Sequence, residues 1–195
     1  AKVMTGDAKG ETGYVLGAHG GIEHVIVEFS EETMEKLAID DKIQIKGWGQ
    51  GLKLLDFPEV TVMNMDPGLL ERMDLKADGG VIEFPVAAIV PAHLMGSGIG
   101  AVHAYTGDYD IMTQDEETIG TLGIDTLRFG DFVMLQDCDN TYGRAYLKGS
   151  VSIGVVVHSD CVKMGHGPGI MILMTSKKPV LRGVIRDRCN VRDYI

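Results

Sequence analysis

Two stretches near the C-terminal end, VSIGVVVH at residues 151–158 and IMILMT at 170–175, are short continuous apolar runs. Runs of this length without alternation read as strands buried on both faces. Such strands need protein packed above and below them, so the chain must build a sheet inside a layered core. With 45% apolar residues, a chain of 195 residues has the material for one.

Other segments also read as strands. IEHVIVEF at 22–29 puts Val25, Val27 and Phe29 on one side and Ile22, His24, Ile26 and Glu28 on the other. Residues 42–48, 60–65, 81–90 and 132–135 have strand character as well. The helices are short. Ser30 caps one whose first turn carries Glu31 and Glu32 and which ends near Leu37. Asp66-Pro67 supplies the cap and first position of a second. A third starts after Asp115 and stops at Gly123. Asp78-Gly79-Gly80 reads as the joint between two parts, 1–78 and 79–195.

The opening stretch VMTGDAKGETGYVLGAHGG, residues 3–21, resembles the KOW motif of translation and transcription factors. That resemblance implies two strands and a tight turn in a small SH3-like barrel. The expected fold is therefore α+β and β-rich: a small SH3-like N-terminal barrel followed by a larger mixed β-sheet domain with short helices. Charge argues against the usual partner of such a barrel. Acidic residues outnumber basic ones 28 to 18, the net charge is −10, and the KOW-like stretch has one lysine and no arginine. Nucleic-acid binding needs clustered lysine and arginine to displace counterions. No apolar run approaches the roughly 20 residues of a membrane helix. Cys138, Cys161 and Cys189 are widely spaced with no CxxC pair, which points to reduced thiols in a cytoplasmic setting.

Chemistry-bearing residues gather in three loops at strand ends, residues 96–110, 136–144 and 158–169. His103, Asp108, Asp137 and His158 are the catalytic candidates, with Arg144 placed to orient a carboxylate or phosphate. His103, Asp108, Asp110 and Asp137 are the candidate ligands of a divalent metal ion of open identity. Gly98 and Gly100 would let a ligand approach the backbone closely, and Gly167 and Gly169, in the GHGPG run at 165–169, would present backbone N–H groups to an anion. Asp108 and Asp110 are two apart, so in an extended segment they face the same way and need a cation between them, a metal or Arg144. Asp137 and Asp139 can share a face for the same reason. Each has a plainer reading: turn aspartates bond their own backbone, His158 satisfies a buried carbonyl, Cys161 is an inert thiol, and His19 and His24 belong to the barrel structure.

The stretches GDAKGETGYVLGAHGGIEHV, QGLKLLDFPEV, LMGSGIGAVHAYTGDYDI, LRFGDFV, DNTYGRAY and IGVVVHSDCVKMGHGPG resemble a bacterial and archaeal family catalogued as domain of unknown function 4438. Members of that family are longer at the N-terminus, which implies that Ala1 is an internal residue of a processed or truncated protein. AVHAYTGD at 101–108 is similar to a loop of the acetamidase/formamidase enzymes, metal-associated amide hydrolases, with His103 and Asp108 on matching positions. Ala101 and Thr106 depart from that loop, and Asp110 stands one place off its glutamate. Two functions follow as expectations: a metal-assisted hydrolase of a small amide or related C–N bond, or a non-catalytic binding or assembly module with structural glycine loops. The expected partners are a small-molecule ligand and further copies of the chain in a homo-oligomer, or a separate N-terminal fragment, but neither nucleic acid nor membrane.

Overall fold

The computed structural model describes residues 1–19, 24–96, 103–160 and 167–195. The chain opens with β1 (Lys2–Val3), β2 (Tyr14–His19) and β3 (His24–Glu28). Helix α1 (Glu31–Lys36) starts where the Ser30 hydroxyl accepts from the Thr33 N–H, with Glu31 and Glu32 at its positive end. Then come β4 (Ile43–Gln44), β5 (Val60–Val62) and α2 (Pro67–Met73), where Asp66 accepts from the Leu69 N–H. Strands β6 (Lys76–Asp78), β7 (Val81–Val86), β8 (Ala88–Pro91) and β9 (Asp108–Asp110) lead to α3 (Glu116–Thr121). Asp115 caps α3, and Gly123, at φ 68°, takes the chain out of it. Strands β10 (Phe132–Asp139), β11 (Ala145–His158), β12 (Gly169–Ser176) and β13 (Leu181–Ile185) complete the order.

The largest sheet has the order β5-β12-β11-β10-β8. Strand β9 lies beside β5 on the same edge of β12, at the other end of that strand. Among the described residues only β8 runs parallel to its neighbour in this sheet. A second sheet, β13-β7-β6, covers one face, with Ile82, Phe84, Val86 and Leu181 against Val151, Ile153, Val155 and Val157 of β11. Leu16 of β2 and Met73 of α2 join that layer. On the opposite face Val156, Ile170 and Ile172 meet Tyr109, Ile111 and Ile119 of the β8–α3 region. The two apolar runs are thus covered on both sides, as their composition requires. Each large side chain buried this way contributes on the order of 1.5–3 kcal/mol.

The N-terminal strands depart from expectation. Among the described residues they form two two-stranded sheets, β1–β4 and β2–β3, and no closed barrel. Residues 42–48 yield only the two residues of β4, because Gly49 and Gly51 adopt φ of 87° and 79° just beyond and the backbone turns out of strand geometry. Strand β5 leaves the N-terminal region to pair with β12. Asp78-Gly79-Gly80 is a hairpin turn: Gly79 and Gly80 both have positive φ, and Asp78 faces Val81 across β6 and β7.

Candidate metal centre

The site lies where three strands meet side by side. His158 ends β11 and sits opposite Gly169 of β12, which in turn sits opposite Asp110 of β9. A register shift between Val156 and His158 marks a bulge at the end of β11, which re-aims the last side chain of the strand. Strand β9 pairs regularly, so Asp108 and Asp110 share one face while Tyr109 points into the core behind them. His158 Nε2 lies 2.9 Å from Asp108 Oδ2 and 3.0 Å from Asp110 Oδ1. The positive group required between the two carboxylates is therefore a histidine.

The other ring nitrogen fixes the protonation state. His158 Nδ1 is 2.8 Å from the Ser159 carbonyl oxygen, which can only accept, so Nδ1 carries a hydrogen. With Nε2 facing two carboxylates, the ring holds a second proton. The hydrogen bond to Asp108, then that to Asp110, pushes His158 up to about 10 against the opposing effect of burial. Burial alone would raise the Asp108 carboxyl, but the hydrogen bond and charge of His158 outweigh it, and its net direction is down.

His19, at the end of β2, completes the cluster. Its ring stands edge-on to that of His158, with centroids 4.5 Å apart and an interplanar angle of 61°. Ligand atoms of His19, Asp108 and His158 all lie within 4.8 Å of one another, so the three could hold a metal ion. Two imidazoles and a carboxylate suit Zn²⁺ or a similar borderline ion. The Ser159 carbonyl on Nδ1 supplies the outer partner that orients a ligating histidine. His19 reaches this position because β2 packs directly on β11 and β12. A Cβ on Gly17 would fall 2.5 Å from Val157 Cγ1, and the Ala18 N–H lies 3.3 Å from Met171 Sδ. The barrel assignment of His19 missed this. His24 pairs with His19 across the hairpin, with rings 6.1 Å apart, and its side chain is exposed.

The remaining candidates fall elsewhere. His103 is exposed and its carbonyl accepts from the Thr106 N–H and hydroxyl. Asp137 sits in the β10 bulge at φ 57° and accepts from the Gly149 N–H at 2.7 Å. Neither belongs to the group of converging ligand atoms among the described residues. Asp137 instead lines a shallow hollow of about 300 Å³ with Met134, Gln136, Gly149, Leu181 and Arg182. Arg144 does lie beside the Asp108–Asp110 strand, but behind it: its N–H donates to the Tyr109 hydroxyl at 3.1 Å and its Nη1 to the Met95 carbonyl at 3.2 Å. The Gly167 N–H donates to the Ile111 carbonyl, and a Cβ there would meet Thr113. Gly169 lies within the cluster itself. Gly98 and Gly100 lie outside the described residues, as does Cys161. Burial pushes the Cys138 thiol up to about 11, so it is inert at neutral pH. Among the described residues no helix is long and apolar enough to cross a membrane.

No curated protein matches the chain. The fold is similar to the crystal structure of TM1086, with a TM-score of 0.88 and 52% identity over 100% of this chain and 68% of that one. The N-terminal model of the family described as domain of unknown function DUF4438 matches residues 1–71, and its C-terminal model matches residues 72–195. With both halves matched from end to end, and with His19 from one half facing Asp108 and His158 from the other, the chain belongs to the DUF4438 family.

Proposed function

We propose that this chain is a divalent-metal-dependent hydrolase of a small amide or related C–N bond, with His19, Asp108 and His158 as the ligands. The observation that carries the reading is the convergence of these three side chains from strands far apart in sequence. An ion held there supplies a Lewis acid that polarises a carbonyl and acidifies a water. The chain's own residues divide the remaining work. Asp108, 6% exposed, is the inner carboxylate and Asp110, 35% exposed, the outer one. Asp110 then accepts a proton at Oδ1 and can return it to the leaving nitrogen. The likeness of AVHAYTGD to the acetamidase/formamidase loop supports the amide class.

A second reading rests on the bond distances themselves. A protonated His158 satisfies both carboxylates without a metal, so the cluster can be a structural clasp in a non-catalytic binding or assembly module. The net charge of −10 favours a small-molecule ligand over nucleic acid in either case. A homo-oligomer, in which exposed apolar side chains such as Ile39, Leu55 and Trp48 would find cover, belongs to this second reading, and light scattering measures it. Elemental analysis of the protein as purified separates the two functions, followed by ammonia release from a panel of small amides before and after chelation. Bound ion near one equivalent, with hydrolysis lost on chelation and restored by the ion, is the expected result. Absence of both ion and hydrolysis leaves the clasp.

A further inference from the structure

Gly169 occupies the middle of the row that runs from His158 on β11 to Asp110 on β9. A residue with a side chain here would stand between the two. A Cβ built on Gly169 would lie 2.0 Å from His158 Nε2, 2.1 Å from His158 Cδ2 and 2.4 Å from Asp108 Oδ2. All three contacts are far inside van der Waals distance, and all three are with side chains of the cluster. They differ from those at Gly154, where a Cβ would also meet the Met171 carbonyl at 3.0 Å. The backbone at Gly169 does not itself require glycine, since its φ lies outside the left-handed region. The demand comes from what crosses over it.

We propose that Gly169 is a positioning residue for the centre. Its missing side chain is the opening through which the His158 ring reaches over β12 to the carboxylates on β9. The strand provides the floor, the glycine provides the gap, and the bulge after Val156 aims His158 into it. A methyl group at 169 drives the ring away from Asp108 and separates His158 from the other two members of the cluster. The geometric part of this inference stands on the contacts alone; the part concerning ion affinity rests on the metal reading above.

The experiment is a double-mutant cycle on the full chain with two readouts, thermal unfolding and Co²⁺ titration. Gly169→Ala lowers Tm by about 3–9 °C, the range for one overpacked methyl in a chain of this size. In a His158→Ala background the same substitution costs less than half as much, because the two nearest atoms it strikes are gone and the Asp108 side chain, no longer held by His158, can turn aside. An equal cost in both backgrounds overturns the proposal. If Gly169→Ala alone does not fold, recovery of a folded protein by adding His158→Ala supports it, and failure of the double variant overturns it. Where the wild-type protein takes Co²⁺, Gly169→Ala weakens binding by about 10–100-fold, the range for loss of an orienting contact, and unchanged affinity overturns the proposal. A wild-type protein that takes no Co²⁺ removes the metal reading, while the coupling between 169 and 158 still decides the role of Gly169.

Discussion

The chain contains two D-x-D stretches at the ends of its main sheet, Asp108-Tyr109-Asp110 and Asp137-Cys138-Asp139, and they do opposite things. In both, the middle side chain is buried in the same apolar layer. In the first, regular pairing with β12 keeps the two carboxylates on one face, and both reach His158. In the second, the β10 register shifts at Asp137, whose φ of 57° turns its carboxylate onto the Gly149 N–H. Asp139 bonds the Thr141 N–H and hydroxyl instead, and Lys177 lies 3.7 Å away. Period-two spacing makes two carboxylates cooperate only where the strand stays regular; one inserted residue separates them.

The largest effect should come from exchanging the two pairs in a metal assay. Asp108→Asn or His158→Ala should weaken divalent-ion binding by more than the ~10–100-fold that outer partners cost. Asp137→Asn should leave it at the wild-type level. Isothermal titration with Zn²⁺ measures all three. Equal losses at 108 and 137 would erase the distinction.

Next comes pH. In the ion-free protein the protonated His158 ring is the stabilising form, because its folded-state value is raised to about 10. Its contribution is fully present below about 6.5 and is lost as pH rises toward 10, at no more than ~1.4 kcal/mol per pH unit. Asp108, held down by His158, acts in the other direction: its contribution is present above the usual carboxylate range and lost as acid protonates it. Urea melts across pH should therefore fall on the alkaline side, and His158→Gln should flatten that limb. Ion binding should strengthen over the same alkaline range, since the metal displaces the Nε2 proton. A pH-independent wild-type midpoint between 6.5 and 10 would refute the protonated clasp.

A backbone test addresses the other D-x-D pair. Asp137→Val should cost about 1–3 kcal/mol, because a β-branched residue is strained at positive φ, while Asp137→Gly should cost less. Similar denaturation midpoints for the two would argue against the bulge. The smallest effect is expected at His103. His103→Ala removes an exposed side chain, so stability should stay within ~0.5 kcal/mol and ion content should not change. Loss of the ion in that variant would add His103 to the ligand set.

Local signals in the sequence carried much of this. The caps at Ser30, Asp66 and Asp115 and the doubly covered strands at 151–158 and 170–175 are written in adjacent residues, and the structure has them there. The pairing of Asp108 with Asp110, and the need for a cation between them, also follow from spacing alone. The identity of that cation does not, because His158 comes from another strand through a bulge that no spacing announces. His19 is harder still. Its one local mark is that it closes a strand, as His158 does, and its partners Asp108 and His158 lie about 90 and 140 residues further along the chain. Asp137 departs from the rule that aligns Asp108 with Asp110 because an irregularity invisible in the residues interrupts β10 there. The expected barrel failed for a related reason: β5 finds its partner in β12, across a span that periodicity cannot read.

The packing of β2 on β11 and β12 also sets a timetable. Val157, His158 and Met171, against which residues 16–19 fit, are made about 140 residues after them, roughly 7–30 s later at ordinary synthesis rates. Through that interval Leu16 has none of its C-terminal neighbours to cover it, and His19 has neither Asp108 nor His158. Closing so long a loop makes the centre one of the last parts of the molecule to form. A nascent chain stalled before β11 would therefore display β2 and β3 with the face they bury against β11 and β12 still open.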